Sequence, residues 1–204
     1  MFNAVLSATF RLLTFRAGPQ DFPFSPTSGL TRTCVVFAIV AIALPELAVA
    51  SPFAAVAFGG VLVLSLFIFT RVLLRMKKLE NRFQQAFNAL LCSIGALWLL
   101  ALPAWAAVLP TINAMQEKLI ADPTLSQSPE RLAALQAEMQ AAIPPGAAFM
   151  IFIIGIWQFA VTARVLGQST DTNQFIAAGL AVLCLFNMFA FMLFAEPLLQ
   201  FLGA

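Results

Sequence analysis

Five long apolar stretches run along the chain, at about residues 31–48, 53–74, 84–108, 147–166 and 174–195, with polar segments between them. A bilayer core about 30 Å thick needs roughly 20 apolar residues of helix, so each stretch predicts one membrane-spanning helix. Residues 34–70 carry no charge except Glu46. That run is too long for one span and suits two, broken at PELAVASP (45–52), where two prolines and a glutamate bracket a turn. Pro103 predicts a kink in the third span. GQSTDTN (167–173) predicts a tight turn, with Gly167 ending one helix and Ser169, Thr170 or Asp171 capping the next. Glu196 and Pro197 mark the far end of the fifth span.

Two segments show helical periodicity without the length to cross a membrane. Phe2, Leu6, Phe10 and Leu13 recur at helical spacing, with Asn3, Ser7, Arg11 and Thr14 between them. This predicts an amphipathic N-terminal helix, either lying on the membrane surface or packed on the protein. It does not read as a signal peptide: Arg11 and Arg16 follow the apolar residues instead of preceding them, and GPQDFPFSP comes next. Pro19, Pro23 and Pro26 predict an extended linker, completing an N-terminal region of residues 1–29 ahead of a membrane domain of residues 30–204. Between spans three and four, residues 109–146 form a loop of two short amphipathic helices, placed on the outer surface or over the bundle. In it, Ser128, Pro129 and Glu130 read as a helix start, and Leu132, Leu135 and Met139 share a face.

Composition fixes the class. Of 204 residues, 61% are hydrophobic and only 10% charged, against roughly 25% charged in soluble domains. So little charge cannot cover a water-facing surface, and the fold class is an all-α membrane protein with five transmembrane helices. With no His and no Tyr, the commonest metal ligand and two frequent proton carriers are missing. Cys34, Cys92 and Cys184 lie in apolar runs without metal-type spacing and read as small apolar filler.

Net charge is only +2, so the position of the charges matters more than their sum. RVLLRMKKLENR (71–82) sets Arg71, Arg75, Lys77, Lys78 and Arg82 against Glu80. Five spans put this loop, the N-terminal segment and the turn between spans four and five on one side. That side holds nine of the eleven basic residues, leaving Lys118 and Arg131 opposite. The lysine and arginine bias predicts a cytoplasmic N-terminus and an outside C-terminus. The 71–82 cluster then reads as a topology anchor that also meets anionic headgroups or a cytoplasmic partner. It is short, lacks interleaved aromatics and has no folded module around it, so it is not a nucleic-acid site.

Polar residues within the spans are the first place to seek a site. Asn88, Gln158 and Asn187 are the clearest, followed by Ser93 and Thr162, and the plain expectation is hydrogen bonding to neighbouring helices. Glu46 and Glu196 adjoin prolines near the outer side, where water solvates them. Ala55 with Gly59 and Ala177 with Ala181 permit close helix contact. Trp105 fits an interfacial belt, whereas Trp98 and Trp157 lie deeper and read as packed. No metal-ligand cluster, intramembrane Asp pair, nucleophile elbow or phosphate loop is present in the sequence.

IIGIWQFAVTARVLGQSTDTNQFIAAGLAV (153–182) resembles the end of the Ypt-interacting-protein (YIP) family domain, where a Trp-containing span runs into a basic residue, a short Gly/Ser/Thr turn and a final span. FQQAFNALLCSIGALWLLALPAW (83–105) is similar to the third span of that family, and the five-span plan matches over roughly residues 30–195. RAGPQDFPFSP (16–26) looks like the start of small bacterial members, and it departs from the long N-terminal tails of eukaryotic ones. Small-GTPase binding is therefore not carried over, and no functional residue is. The resemblance implies a non-enzymatic, multi-pass protein of a bacterial inner membrane, without a cofactor. The expected role is a scaffold or interaction subunit, as a homo-oligomer or with other membrane proteins. The alternative is a small transporter or channel, which requires Asn88, Gln158 and Asn187 to converge on one wet cavity.

Overall fold

The structure is a computed structural model that describes residues 2–23, 29–48, 50–122 and 128–203, with backbone alone for Phe2, Pro129 and residues 194–203. It is all-helical among the described residues: α1 (Phe2–Leu13), α2 (Gly29–Glu46), α3 (Pro52–Met76), α4 (Phe83–Ala121), α5 (Pro129–Ala142), α6 (Pro145–Thr170) and α7 (Gln174–Gly203). Five of these, α2, α3, α4, α6 and α7, are long and apolar enough to cross a membrane. Helix is the expected answer for such stretches, because hydrocarbon offers no partner to a backbone N–H or C=O. The break between the first two falls where the prolines place it. Helix α2 stops at Glu46, and Ser51 caps α3 by accepting from the Ala54 N–H at 3.2 Å.

Several boundaries differ from the sequence reading. The third span does not end at residue 108: α4 continues to Ala121, so its 39 residues are about twice the number a crossing needs. Both Pro103 and Pro110 sit inside it. They are seven residues apart, hence on one face, and both are exposed, so the two missing backbone bonds fall on an outer side. Residues 109–121 are thus the tail of α4, and only α5 is a separate short helix in the loop. Ser128 supplies its backbone carbonyl to Leu132, while its hydroxyl makes no cap. Leu132, Leu135 and Met139 do share the less exposed face. Helix α6 runs through Gly167 to Thr170, and α7 continues past Glu196 and Pro197 to Gly203. Among its described residues, the proposed linker contains a 3-10 turn at Pro19–Asp21, closed by Gly18 N–H donating to Asp21 Oδ2 at 2.7 Å. Pro26 lies outside the described residues.

The chain divides into two compact units. The first, Met1–Leu99 with Gly155–Ala204, has α3 packed against both α2 and α7. Small residues set these approaches. A methyl on Gly59 would come within 2.8 Å of the Ile39 carbonyl oxygen, and Ala55 is fully buried one turn earlier. Ala181 is fully buried on α7, and Ala177 lies against Gly167. In the second unit, Leu100–Ile154, Ala104, Val108 and Ala147 form a small core with Ile112, Ile143 and Ile151. Lys118 and Glu138 pair across α4 and α5.

Helix α1 has features of both arrangements that its sequence allows. Ala8, Leu12 and Leu13 are buried, whereas Leu6 and Phe10 are 60% and 63% exposed. The helix packs on the protein with one flank and keeps an apolar stripe on the neighbouring flank.

Candidate functional site

Three helices end in the same way, and their ends build the site. After α1, Arg16 N–H reaches back to Arg11 O; after α3, Leu79 N–H to Leu74 O; after α6, Thr172 N–H to Gly167 O. Each is the wide backbone closure of a Schellman turn, which needs a left-handed residue just before the donor. Those residues are Phe15, Lys78 and Asp171, with φ of 59°, 58° and 51°. No described glycine has positive φ. Gly167, expected to end α6, instead lies inside it, where a methyl would come within 2.7 Å of Ala177 Cβ.

The turn after α6 is held from outside by the start of α4. Arg82 Nη1 lies 2.7 Å from Asp171 Oδ2 and donates to the last-turn carbonyls of Gln168 and Ser169, both at 3.4 Å. The last carbonyls of any helix lack internal partners, and a cation beside them also suits the negative end of the helix dipole. The Arg82 hydrogen bond keeps the Asp171 carboxyl below its ordinary range. Asn173, not Ser169, Thr170 or Asp171, caps α7, its Oδ1 accepting from Ile176 N–H at 3.0 Å.

The N-terminal arm closes the third side. Trp157 Nε1 donates to Leu13 O at 2.9 Å, and Arg164 Nε to Ala17 O at 3.2 Å. These residues are two helical turns apart and so project from one face of α6. Gln85 Nε2 donates to the carbonyls of Gln20 and Phe22, each at 3.3 Å, and Phe22 is buried. Between arm, α4 and α6 lies a polar cleft of about 380 Å³, lined by Pro19, Gln20, Arg82, Gln85, Gln168, Ser169 and Asp171. Ser169 is 2% exposed, yet its hydroxyl has no partner among the described residues. Gln168 Oε1 is likewise buried without a partner.

The basic cluster therefore separates. Arg82 belongs to the cleft. Arg71 stacks 5.4 Å over the ring of Phe83, in a trio with Phe67 and Phe87, and Arg75 is 3.9 Å from Glu80. Arg71, Arg75, Lys77 and Lys78 are all exposed.

The intramembrane candidates play different parts. Asn187 Nδ2 donates to Ser65 O at 3.2 Å, joining α7 to α3. Asn88 is fully buried in α4 with neither amide atom partnered among the described residues, and Gln158 is half-buried. None of the three lines the cleft. Ser93 bonds back within α4, to Ala89 O and Leu90 O. Cys34 and Cys92 face each other at 3.3 Å between α2 and α4, so these thiols meet rather than merely filling space. Among the described residues, no three Cys, Asp or Glu side chains are placed to share a metal ion.

Sequence reasoning missed Trp157, Arg164, Gln85 and Asp171 as the ties of this end. Arg164 carries a signal as a cation close to the end of an apolar run, Asp171 as a residue of the predicted turn, and Trp157 as an aromatic that reads as packed. Comparison of the chain with protein-family models, with curated proteins and with solved structures finds no match.

Proposed function

We propose that the protein is a non-catalytic, five-span subunit of a bacterial inner membrane, with the N-terminus and the 71–82 loop in the cytoplasm and the C-terminus outside. It works as a scaffold or interaction subunit of YIP-like plan. One observation carries this reading. The three segments that the charge bias assigns to one side are the N-terminal arm, the loop before α4 and the turn after α6, and they meet in a single polar cleft. Nine of the eleven basic residues lie in these segments or beside them. Within the first unit, α7 exposes Leu183, Phe186 and Phe189, a surface suited to acyl chains or another membrane helix.

A transporter reading rests on Asn88, whose amide is buried without a partner, because an unpaired polar group at membrane depth is costly and marks pathways elsewhere. The role of Asn187 as a tie between α7 and α3 favours the scaffold.

Sidedness is tested with single cysteines in a background lacking the native three. Met76→Cys, at a site 77% exposed, reacts with an impermeant maleimide only from the cytoplasm, and Ala134→Cys on α5 reacts only from outside. Labelling of both from one side overturns the topology. Purification from native membranes in mild detergent then yields a stable protein partner or a homo-oligomer for a scaffold; a monomer whose substrate uptake depends on Asn88 favours transport.

A further inference from the structure

The structure assigns Cys34 and Cys92 as a redox pair, two buried thiols that a peroxide converts into a disulfide stapling α2 to α4. Along the chain these residues are 58 positions apart and read as filler. In the folded protein Cys92 S–H donates to Cys34 Sγ at 3.3 Å. A covalent sulfur–sulfur bond is about 2.05 Å long, so about 1.3 Å of approach remains. Two sulfurs cover that distance by small rotations about their own Cα–Cβ bonds. The helices already hold the pair in place. On one side of it, Gln84 Nε2 of α4 donates to Thr31 Oγ1 of α2 at 3.3 Å. On the other, Gly95 of α4 lies so close to α2 that a methyl would come within 2.7 Å of the Phe37 ring and 3.4 Å of Ala38 Cα. Thiols fixed between two such contacts meet each other at a far higher effective concentration than any thiol in solution. A metal ion suits the pair less well. Two bonds of about 2.3 Å at a tetrahedral angle would hold the sulfurs wider apart, and among the described residues no third Cys, Asp or Glu side chain joins them.

The reaction balances with one hydrogen peroxide. The Cys34 sulfur accepts the S–H of Cys92 and is therefore the one placed to release its own proton and attack. Its S–O bond forms as the O–O bond breaks, and one water leaves. Cys92 then attacks the Cys34 sulfur: the S–S bond forms, the S–O bond breaks and a second water leaves. Two thiols are oxidised, both peroxide oxygens are reduced, and the two thiol protons end in the two waters. Size selects the reagent. Cys34 and Cys92 are 2% and 3% exposed, which excludes a charged tripeptide such as glutathione. A neutral oxidant the size of water needs only a local opening. Thr9 of α1 lies beside Cys92, and α1 is a short helix, so its parting from the bundle is the route. The disulfide, once formed, is shielded from the charged thiols that keep cytoplasmic cysteines reduced, so oxidation latches α2 to α4. Neither the pairing nor this selection depends on which way the bundle faces.

The test uses the full chain with Cys184→Ala in nanodiscs, so that the pair alone carries thiols. The protein is held for hours in millimolar hydrogen peroxide, then unfolded in the presence of a maleimide and weighed intact. Both thiols are lost together, the mass falls by two hydrogens, and a reductant added after unfolding restores both. The oxidised chain melts about 10 °C above the reduced one, the effect of closing a loop of this length. Trp157→Phe combined with Arg164→Gln, which frees the arm and with it the end of α1, speeds the oxidation about tenfold. Two free thiols after the exposure overturn the proposal, and so does thiol loss with oxygen gained in place of hydrogen lost. An unchanged melting point in the oxidised chain rejects the staple, and equal oxidation rates with the arm tied and freed reject the route under α1.

Discussion

Phe15, Lys78 and Asp171 occupy left-handed positions that glycine usually fills, and each costs roughly 1–2 kcal/mol of local strain. Asp171 is the best tolerated, because Asp visits this region and because Arg82 holds its side chain. Lys78 has no such hold in an exposed turn. Lys78→Gly is expected to raise stability by about 1 kcal/mol, read as a higher midpoint in thermal unfolding. Asp171→Asn keeps the left-handed turn and removes the charge. The folded state lowers the pKa of Asp171, so the ion pair stabilises fully above the ordinary carboxylate value near 4 and fades as pH falls through the lower folded value. Arg82 stays charged throughout. The wild type should therefore melt above Asp171→Asn at pH 7, and the two should converge near pH 2. Half a molar salt should narrow the gap at pH 7, since the pair is exposed.

Glycines do their work inside helices, where the absence of a side chain lets another helix come close. Gly59 and Gly60 are neighbours with opposite surroundings. A methyl on Gly59 would come within 2.8 Å of Ile39 O and 3.2 Å of Ile39 Cα, whereas one on Gly60 meets nothing within 4 Å. Backbone cannot rotate aside as a side-chain tip does. Gly59→Ala is expected to cost about 1–3 kcal/mol by forcing α2 and α3 apart, and Gly60→Ala to gain up to about 1 kcal/mol from helix propensity. Thermal unfolding of the two variants checks the contrast; equal effects would count against the close approach of α2 and α3. Residues 109–121 teach a related lesson. Pro110 lies beyond residue 108, where the sequence reading ends the third span, yet α4 runs on through both prolines, which share one exposed face.

For the molecule as a whole, the N-terminal arm acts as a strap over the cleft end. Two side chains of α6 and one of α4 hold its backbone carbonyls. Each hydrogen bond is worth about 1 kcal/mol net. Replacing both Trp157 with Phe and Arg164 with Gln should release the arm while leaving the spans folded. Trypsin cleavage after the exposed Arg16 should then quicken about tenfold, because local opening governs attack. An unchanged rate would mean that the buried Leu12 and Phe22 hold the arm without these bonds.

The number of apolar helices, the break at Glu46 and Ser51, and the close approaches at Ala55, Gly59, Ala177 and Ala181 were legible in the sequence. The reason is local: hydrocarbon excludes charge and unpaired backbone, so the length and polarity of a run decide its state wherever its neighbours are. Packing decided how the polar residues are used. Arg82 closes a helix end while its four basic neighbours stay exposed, and Asn187 finds Ser65 while Asn88 finds no partner. Along the chain Gly167 outranked Asp171 as a helix stop, because propensity counts one residue at a time. In the folded protein Asp171 has a guanidinium 89 positions away in sequence and 2.7 Å away in space, and Gly167 has Ala177 against it. Contacts between residues so distant in sequence exist only once the helices have packed.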